Sequence, residues 1–284
     1  MLLPQLRADG TIRACSYNVR YDADESARVP GETPWAKRRE RVFERLRAIS
    51  PDVVAIQEAL SHQFGDLTRA FPDFEWYGVD RQDGERAGSG EFVPIGWRDA
   101  RFEALQTGHW WLSETPTQPS VGWDGDLPRL STWAVLRDRQ TATTYWACAT
   151  HLDHRGEQAR LEGARLLATT AHGWHTGTPL GATPSTTVEP VDVALVLGDC
   201  NCRPDTAPYE AMTGGSLSDA RVIADEVIGP RETFHGFEGT PTSRIDYAFV
   251  SRTADVDRYR TLEPSDPPYA ADHVPIFADV IGRE

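Results

Sequence analysis

The sequence predicts an α/β protein in which β-sheets pack on each other and are covered by helices. Three observations support this fold class: apolar, strand-like segments recur along the whole chain, amphipathic helical segments lie between some of them, and no internal repeat is present. With 284 residues, 39% of them hydrophobic, the chain can bury a substantial core. We expect a single domain over residues 1–284.

The strands are predicted where β-branched and aromatic residues concentrate between turn signals. In chain order they are TIRACSYNV (11–19), DVVAIQE (52–58), FEWYGV (74–79), VPIGW (93–97), FEALQTGHWWL (102–112), STWAVLR (131–137), TTYWACATHL (143–152), VALVLGD (193–199), RIDYAFVS (244–251), VDRYRTL (256–262) and VPIFADV (274–280).

Two segments have the spacing of amphipathic helices. In residues 33–50, Thr33 before Pro34 is a plausible N-cap, the basic residues form the solvent-facing side, and the buried stripe consists of Trp35, Val42, Phe43, Leu46 and Ile49. The second helix, from about Glu157 to Trp174, carries the apolar residues Ala159, Leu161, Leu166 and Leu167. Residues 175–190 are rich in Thr, Pro and Gly, which predicts a surface loop.

The charge balance limits the classes of partner. A formal net charge of −14 argues against a broad basic surface for duplex nucleic acid, because such binding requires many Lys and Arg contacts to phosphates. Lys37 is the only lysine, and Arg supplies the other positive charges. An acidic, lysine-poor surface is typical of proteins from a saline cytoplasm, although a GC-rich genome also favours Arg over Lys.

The cellular location is predicted from the apolar segments of the sequence. MLLPQLRADG lacks the apolar core of a secretory signal and no run has membrane-spanning length, so we expect a cytoplasmic protein with no membrane insertion and no obligatory protein partner.

The four cysteines are predicted to be free thiols of the core. Cys15, Cys148, Cys200 and Cys202 lie in or beside apolar segments, where free thiols behave as small hydrophobes. The C-x-C pair has no matching second pair, so a zinc site is not favoured.

Polar side chains stand at the ends of several predicted strands. Each has an ordinary explanation as a turn residue, a helix cap or a buried histidine. Together they are better explained by one shared pocket at the end of a sheet, because buried polar groups need partners. The positions are Asn18, Gln57 with Glu58, His151 with Asp153, Asp199 with Asn201, Asp246, and Asp272 with His273.

This set of side chains indicates metal-assisted hydrolysis. Carboxylate and amide oxygens suit a hard cation such as Mg²⁺ or Mn²⁺. No serine or cysteine stands in a nucleophile motif, since GSG at 88–90 lies in a polar loop and is not a nucleophile elbow. A divalent cation can neutralise phosphate charge while a positioned water attacks in line. The predicted reaction is therefore hydrolysis of a phosphoester.

The order of the motifs resembles that of the endonuclease/exonuclease/phosphatase superfamily. SYNVR, IQE, THLDH, GDCN, SRIDY and ADH follow one another from Asn18 to His273, and six short motifs in the expected order are specific together. The resemblance implies a four-layer αββα sandwich of two mostly antiparallel sheets flanked by helices, with the site at one edge. It departs from the usual pattern at Cys200, where Phe is common, and at Ala271, where Ser is common.

Carried over motif by motif, the resemblance implies a role for each residue. Glu58 is the principal metal ligand, supported by Asn18 and Asp272. Asp199 orients and deprotonates the attacking water, and Asn201 holds both Asp199 and a phosphate oxygen. His151 donates a hydrogen bond to a phosphate oxygen in the transition state, as does His273, which Asp246 orients.

The motifs are shared by enzymes that act on several classes of phosphoester. We expect a phosphoester, either a small molecule or nucleic acid, and a metal-dependent phosphodiesterase or phosphatase. The alternatives are a nuclease acting on DNA or RNA and a noncatalytic phosphate-binding module. Several residues near the motifs could stack on bases, but aromatic residues at strand ends more often pack the core; they are Trp123, Trp133, Phe234 and Phe237, with Arg129 beside them.

Overall fold

Two β-sheets, one of seven strands and one of six, lie at the centre of the protein. The computed structural model describes Arg7, residues 10–178 and residues 189–283, so most of the predicted loop at 175–190 lies outside the described residues. The strands are β1 (Ile12–Asn18), β2 (Val53–Gln57), β3 (Ala59–Leu60), β4 (Phe74–Tyr77), β5 (Glu91–Phe92), β6 (Ile95–Arg98), β7 (Phe102–Trp111), β8 (Leu130–Asp138), β9 (Thr144–His151), β10 (Val193–Asp199), β11 (Leu217–Asp219), β12 (Glu226–Ile228), β13 (Asp246–Ser251), β14 (Ala254–Thr261) and β15 (Ile276–Gly282).

Most neighbouring strands run antiparallel. The seven-stranded sheet has the order β12-β14-β15-β1-β2-β6-β4, and the six-stranded sheet has the order β11-β13-β10-β9-β8-β7. The parallel pairs are β1 with β2, β9 with β10, and β12 with β14. Strands β3 and β5 form a separate ribbon. Each strand predicted from the sequence is present, with ends within two residues of the predicted ones.

Helices cover both outer faces of the paired sheets. They are α1 (Trp35–Ile49), α2 (Ser61–Ala70), α3 (Glu157–Thr176), α4 (Ala207–Thr213) and α5 (Ala220–Ile223). Alternating residues divide the strands between two layers of core: Ala14 and Leu195 face the other sheet, whereas Tyr17 packs towards α1 and Val196 towards α3. The predicted four-layer sandwich is therefore confirmed.

Two predictions about α1 are wrong. Thr33 does not cap the helix, because its hydroxyl has no hydrogen-bond partner and Asp22 instead accepts from the Trp35 N–H at 2.9 Å. Arg38 is not on the solvent-facing side but fully buried. Its guanidinium donates to several backbone carbonyls, including those of Val19 and Ala270. The buried arginine thus ties the segment after β1 to the segment before β15.

The four cysteines are free and buried, as the sequence predicts. Burial raises the pKa of each thiol, that of Cys202 to about 11, so these side chains behave as apolar core residues. Within the described ranges, no helix has the length and apolar character needed to cross a membrane.

Candidate active site

Strand register brings the predicted polar residues to one end of the sandwich. Asn18 ends β1, and its parallel neighbour β2 ends immediately before Glu58. In the other sheet, Asp199 ends β10 and is the register partner of both His151 on β9 and Asp246 on β13. Because β1 and β10 are inner strands of the two packed sheets, their ends meet beside one cleft.

Three residues around the cleft have left-handed backbone geometry. The φ angles are +58° for Arg20, +63° for Glu58 and +47° for Asn201. A non-glycine residue in this region costs roughly 1–2 kcal/mol, so it persists only where the surroundings hold it. Strain of this kind concentrates at functional sites, and here it turns the chain sharply after β1, β2 and β10.

Asp199 is the centre of the site. Its Oδ2 accepts a hydrogen bond from Asn18 Nδ2 at 3.0 Å, and its Oδ1 accepts from the backbone N–H of Asn201 at 2.9 Å. The Nε2 atoms of His151 and His273 lie 3.6 and 3.7 Å from Oδ2. Burial raises the pKa of Asp199 to about 7, although the charge of His273 opposes the shift. A carboxylate poised near neutrality is suited to accept a proton.

Glu58 stays ionised in the same cleft. Burial would raise its pKa, but the hydrogen bond from Asn18 Nδ2 at 2.9 Å and the charges of Arg20 and His273 outweigh burial and hold the pKa below its usual value. Asn18 therefore donates to two carboxylates, those of Glu58 and Asp199. Its Oδ1 accepts from the Arg20 N–H at 3.0 Å. In this orientation Asn18 holds the two acids together.

His273 is held as a cation. Its Nδ1 donates to Asp246 Oδ2 at 2.8 Å. Burial would lower the pKa of His273, but the charges of Asp246 and Asp199 raise it well above its usual value. The ring contacts Phe234 edge-on at a centroid distance of 4.9 Å. A protonated imidazole in this position presents an N–H donor and a positive charge to an anionic substrate.

His151 has a different environment and is neutral. Burial, followed by the charges of Arg129 and Arg81, lowers its pKa well below the usual value. Arg129 Nη1 lies 3.2 Å from His151 Nδ1, and Arg129 Nε donates to Asp153 Oδ2 at 3.3 Å. The two histidines of the site thus differ in charge, since one faces a carboxylate and the other a guanidinium.

The site has the donor set that a divalent cation requires. Carboxylate oxygens of Glu58 and Asp199 lie within 4.8 Å of each other. Asp272 Oδ1 is buried and has no hydrogen-bond partner, and burial together with the charge of Glu58 raises the Asp272 pKa to about 6. A cation among these oxygens would satisfy the buried atom and relieve the repulsion between the acids. The residues present therefore fit a divalent cation.

All eight predicted site residues come together in the structure. Six line the cleft, which has a volume of about 620 Å³, and Asn18 and Asp246 lie directly behind them. The cleft also includes residues that sequence reasoning missed: Arg20, Arg81, Glu91 and His154. His154 closes the THLDH motif and could have been found there. Arg81 lies in a polar loop and Glu91 begins the short strand β5, and neither sequence gives a comparable signal.

Each arginine in the cleft is matched by a carboxylate. Arg81 pairs with Glu91 at 2.7 Å, and Arg155 pairs with Asp126 at 3.0 Å. Arg20 pairs with Glu32 at 3.2 Å, and Arg129 pairs with Asp153 at 3.3 Å. Among the described residues, the arginines of the cleft therefore leave no unpaired positive charge of the kind that follows a nucleic-acid backbone.

Two of the four candidate stacking residues belong to the core. Trp133 is 9% exposed and packs on Trp174 at a centroid distance of 5.0 Å, and Phe237 is 4% exposed. Phe234 does line the cleft, beside His273. Trp123 is half-buried and is not one of the cleft residues. Packing thus explains two of the four aromatics, and Phe234 is the one placed to contact a substrate.

Comparison with known proteins agrees with this geometry. Residues 15–273 match the Endonuclease/Exonuclease/phosphatase family. No curated protein matches the sequence. An endonuclease/exonuclease/phosphatase from Bacteroides vulgatus is 30% identical, with a TM-score of 0.84 and coverage of 96% of this chain and 99% of that one. The mannosyl-6-phosphatase Bt3783 of Bacteroides thetaiotaomicron is 29% identical, with a TM-score of 0.81 and coverage of 95% and 99%.

A more distant structure shares the fold alone. The human Nocturnin catalytic domain is 18% identical, with a TM-score of 0.70 and coverage of 96% of this chain and 94% of that one. Its solved structure contains a sulfate anion.

Proposed function

The chain belongs to the endonuclease/exonuclease/phosphatase family, and from this premise we propose that it is a divalent-metal-dependent hydrolase of small or exposed phosphoesters. The observation that carries the proposal is the buried Asp199, which has a pKa near neutrality and lies between two histidine N–H donors. Such a carboxylate can accept a proton from water beside groups that bind phosphate oxygens.

Each residue has a defined part in this mechanism. Glu58 and Asp272 would hold the cation, and Asn18 would support them through its hydrogen bond to Glu58. When bound, the cation neutralises phosphate charge and stabilises the leaving oxygen. Asp199 orients the attacking water and takes its proton. His273, protonated and held by Asp246, donates to a phosphate oxygen.

Asn201 acts through its backbone and its amide. Its backbone N–H fixes Asp199 Oδ1, and its Nδ2 donates to the Leu152 carbonyl at 3.0 Å. An amide nitrogen carries two hydrogens, so one remains for the substrate. His151 supplies a further donor from the opposite side of Asp199.

The proposed substrate class is a small phosphoester, with phosphomonoesters of sugars as the first compounds to test. Two observations support this choice: the cleft arginines are all paired with carboxylates, and a mannosyl-6-phosphatase is among the similar structures. A nuclease that follows a single strand would use a strip of unpaired basic groups, which the described arginines of the cleft do not provide.

A substrate panel tests the proposal. Mannose 6-phosphate, p-nitrophenyl phosphate, bis(p-nitrophenyl) phosphate and a single-stranded oligonucleotide are incubated with Mg²⁺, Mn²⁺ or EDTA. We expect turnover of at least one small phosphoester that EDTA abolishes. If the oligonucleotide is cleaved in preference to the small phosphoesters, the protein is a nuclease and the proposal is wrong. Binding of inorganic phosphate without turnover of any compound would favour the noncatalytic binding module.

The rate should fall as the pH is lowered through about 7. Because Asp199 must be ionised to accept a proton and burial raises its pKa to about 7, the active form is lost as the carboxyl protonates. We expect kcat/KM to drop about tenfold per pH unit on the acidic side. The midpoint should move to lower pH as Mg²⁺ is raised, because a nearby cation favours the ionised carboxylate. A pH–rate profile that is flat through neutrality would contradict this assignment.

A further inference from the structure

Arg129 connects the two histidines of the THLDH motif. It is 6% exposed and lies one residue before β8. Its Nη1 is 3.2 Å from His151 Nδ1, and its Nη2 is 2.7 Å from His154 Nδ1. Its Nε donates to Asp153 Oδ2. One buried guanidinium thus contacts three side chains at the end of β9 and in the loop that leads to α3.

The loop that receives these contacts is itself fixed. Asp153 Oδ1 accepts hydrogen bonds from the backbone N–H groups of Arg155 and Gly156, at 2.8 and 2.7 Å, at the start of α3. Asp153 is 2% exposed. The carboxylate therefore anchors Arg129 on one side while it closes the turn on the other, which gives the guanidinium one orientation.

The chemistry of arginine decides the tautomer of both histidines. A guanidinium only donates hydrogen bonds and stays protonated in proteins. The ring nitrogens that face it, His151 Nδ1 and His154 Nδ1, must therefore be acceptors. In a neutral imidazole the proton then resides on Nε2. Both rings belong to the cleft wall, and Nε2 of His151 is the atom nearest Asp199.

Resting on the proposed function, we propose that Arg129 is a positioning residue that makes His151 and His154 neutral Nε2–H donors towards the phosphoester. The same contact prevents His151 from acting as a metal ligand, because its Nε2 carries a hydrogen and has no free lone pair. His151 is close enough to Glu58 and Asp199 to belong to a metal cluster on distance alone. Because of Arg129, His151 can donate a hydrogen bond to the substrate but cannot bind the cation, which the oxygen ligands would hold.

Histidine tautomers can be read directly by nitrogen-15 NMR of the labelled protein at one pH near 7.5. The protein has 8 histidines, and the His151→Gln and His154→Gln variants identify the two signals by their loss. We expect the Nε2–H form for both in the wild type, with or without Mg²⁺. An Nδ1–H signal for His151 in the wild type, or loss of its Nε2–H on adding Mg²⁺, would overturn the proposal.

Arg129→Gln tests the positioning role, because an amide oxygen can accept from Nδ1–H and no longer enforces one tautomer. We expect mixed tautomers at both histidines and a fall in kcat of about 10–100-fold with KM changed less than about threefold. Arg137→Gln on β8 is the matched control, since Arg137 is half exposed and pairs with Glu103 at 3.6 Å. It should change neither the spectrum nor kcat.

The outcomes separate this inference from the proposed function. Nε2–H tautomers in a folded protein that hydrolyses no phosphoester would support the tautomer assignment and refute the hydrolase proposal. An active enzyme in which Arg129→Gln keeps both tautomers and full kcat would refute the positioning role. If Arg129→Gln does not fold, the wild-type spectrum still decides the tautomer.

Discussion

Asp199→Asn should lower kcat by about a thousandfold or more while the protein remains folded. The amide has the size of the carboxyl and can still accept from the Asn201 N–H, but it cannot take a proton from water. A buried neutral amide also avoids the desolvation that raises the Asp199 pKa. The substitution also places an NH₂ group opposite the Asn18 donor, so the two contributions to stability oppose each other and we expect a melting temperature near that of the wild type. Steady-state kinetics and thermal denaturation of the same preparation measure both effects.

Asp255→Asn is the matched control for this experiment. Asp255 is half exposed on β14 and pairs with Arg283 at the surface. The same chemical change at this position should leave kcat unaltered. If Asp199→Asn retained wild-type turnover, the proton-accepting role would have to move to another group of the cleft, and the proposed mechanism would fail.

The positions of the catalytic candidates could be predicted because they depend on short-range rules. Alternation along β10 predicts that Asp199 and Cys200 point to opposite sides, and Cys200 is indeed 1% exposed in the core beneath α3. Asn201 lies beyond the end of β10 in a left-handed turn, so alternation does not place it. Polar residues at the ends of apolar strands need hydrogen-bonding or charged partners, and the register of the strands places such partners beside them. Asp199 meets His151 and Asp246 through strand pairing alone.

The supporting contacts could not be predicted, because they join residues that no local pattern relates. Arg129 and His151 are 22 positions apart, and Asp22 caps α1 across the chain in place of Thr33. Arg38 has the helical position of a surface arginine, but carbonyl groups from two distant segments make its burial possible. These interactions depend on the packed tertiary structure.

Glu58→Gln should also cause a large loss of activity, because it should weaken binding of the cation. Gln keeps the size of Glu58 and can accept from Asn18, but it removes one negative charge from the oxygens proposed to hold the cation. Affinity for hard cations depends on the number of charged ligands, so the Mg²⁺ concentration for half-maximal rate should rise by at least about tenfold. Titration of activity with Mg²⁺ after EDTA treatment measures this shift. Glu226→Gln, a half-exposed glutamate paired with Arg258, is the control.

The two variants together distinguish proton transfer from metal binding. If Glu58 holds the cation and Asp199 accepts the proton, excess Mg²⁺ should restore part of the activity of Glu58→Gln and none of that of Asp199→Asn. Asn18 bridges both carboxylates, so an alternative is that the two acids share one metal site. In that case both variants would respond to Mg²⁺ in the same way. Equal rescue of the two would therefore reject the division of roles between the carboxylates.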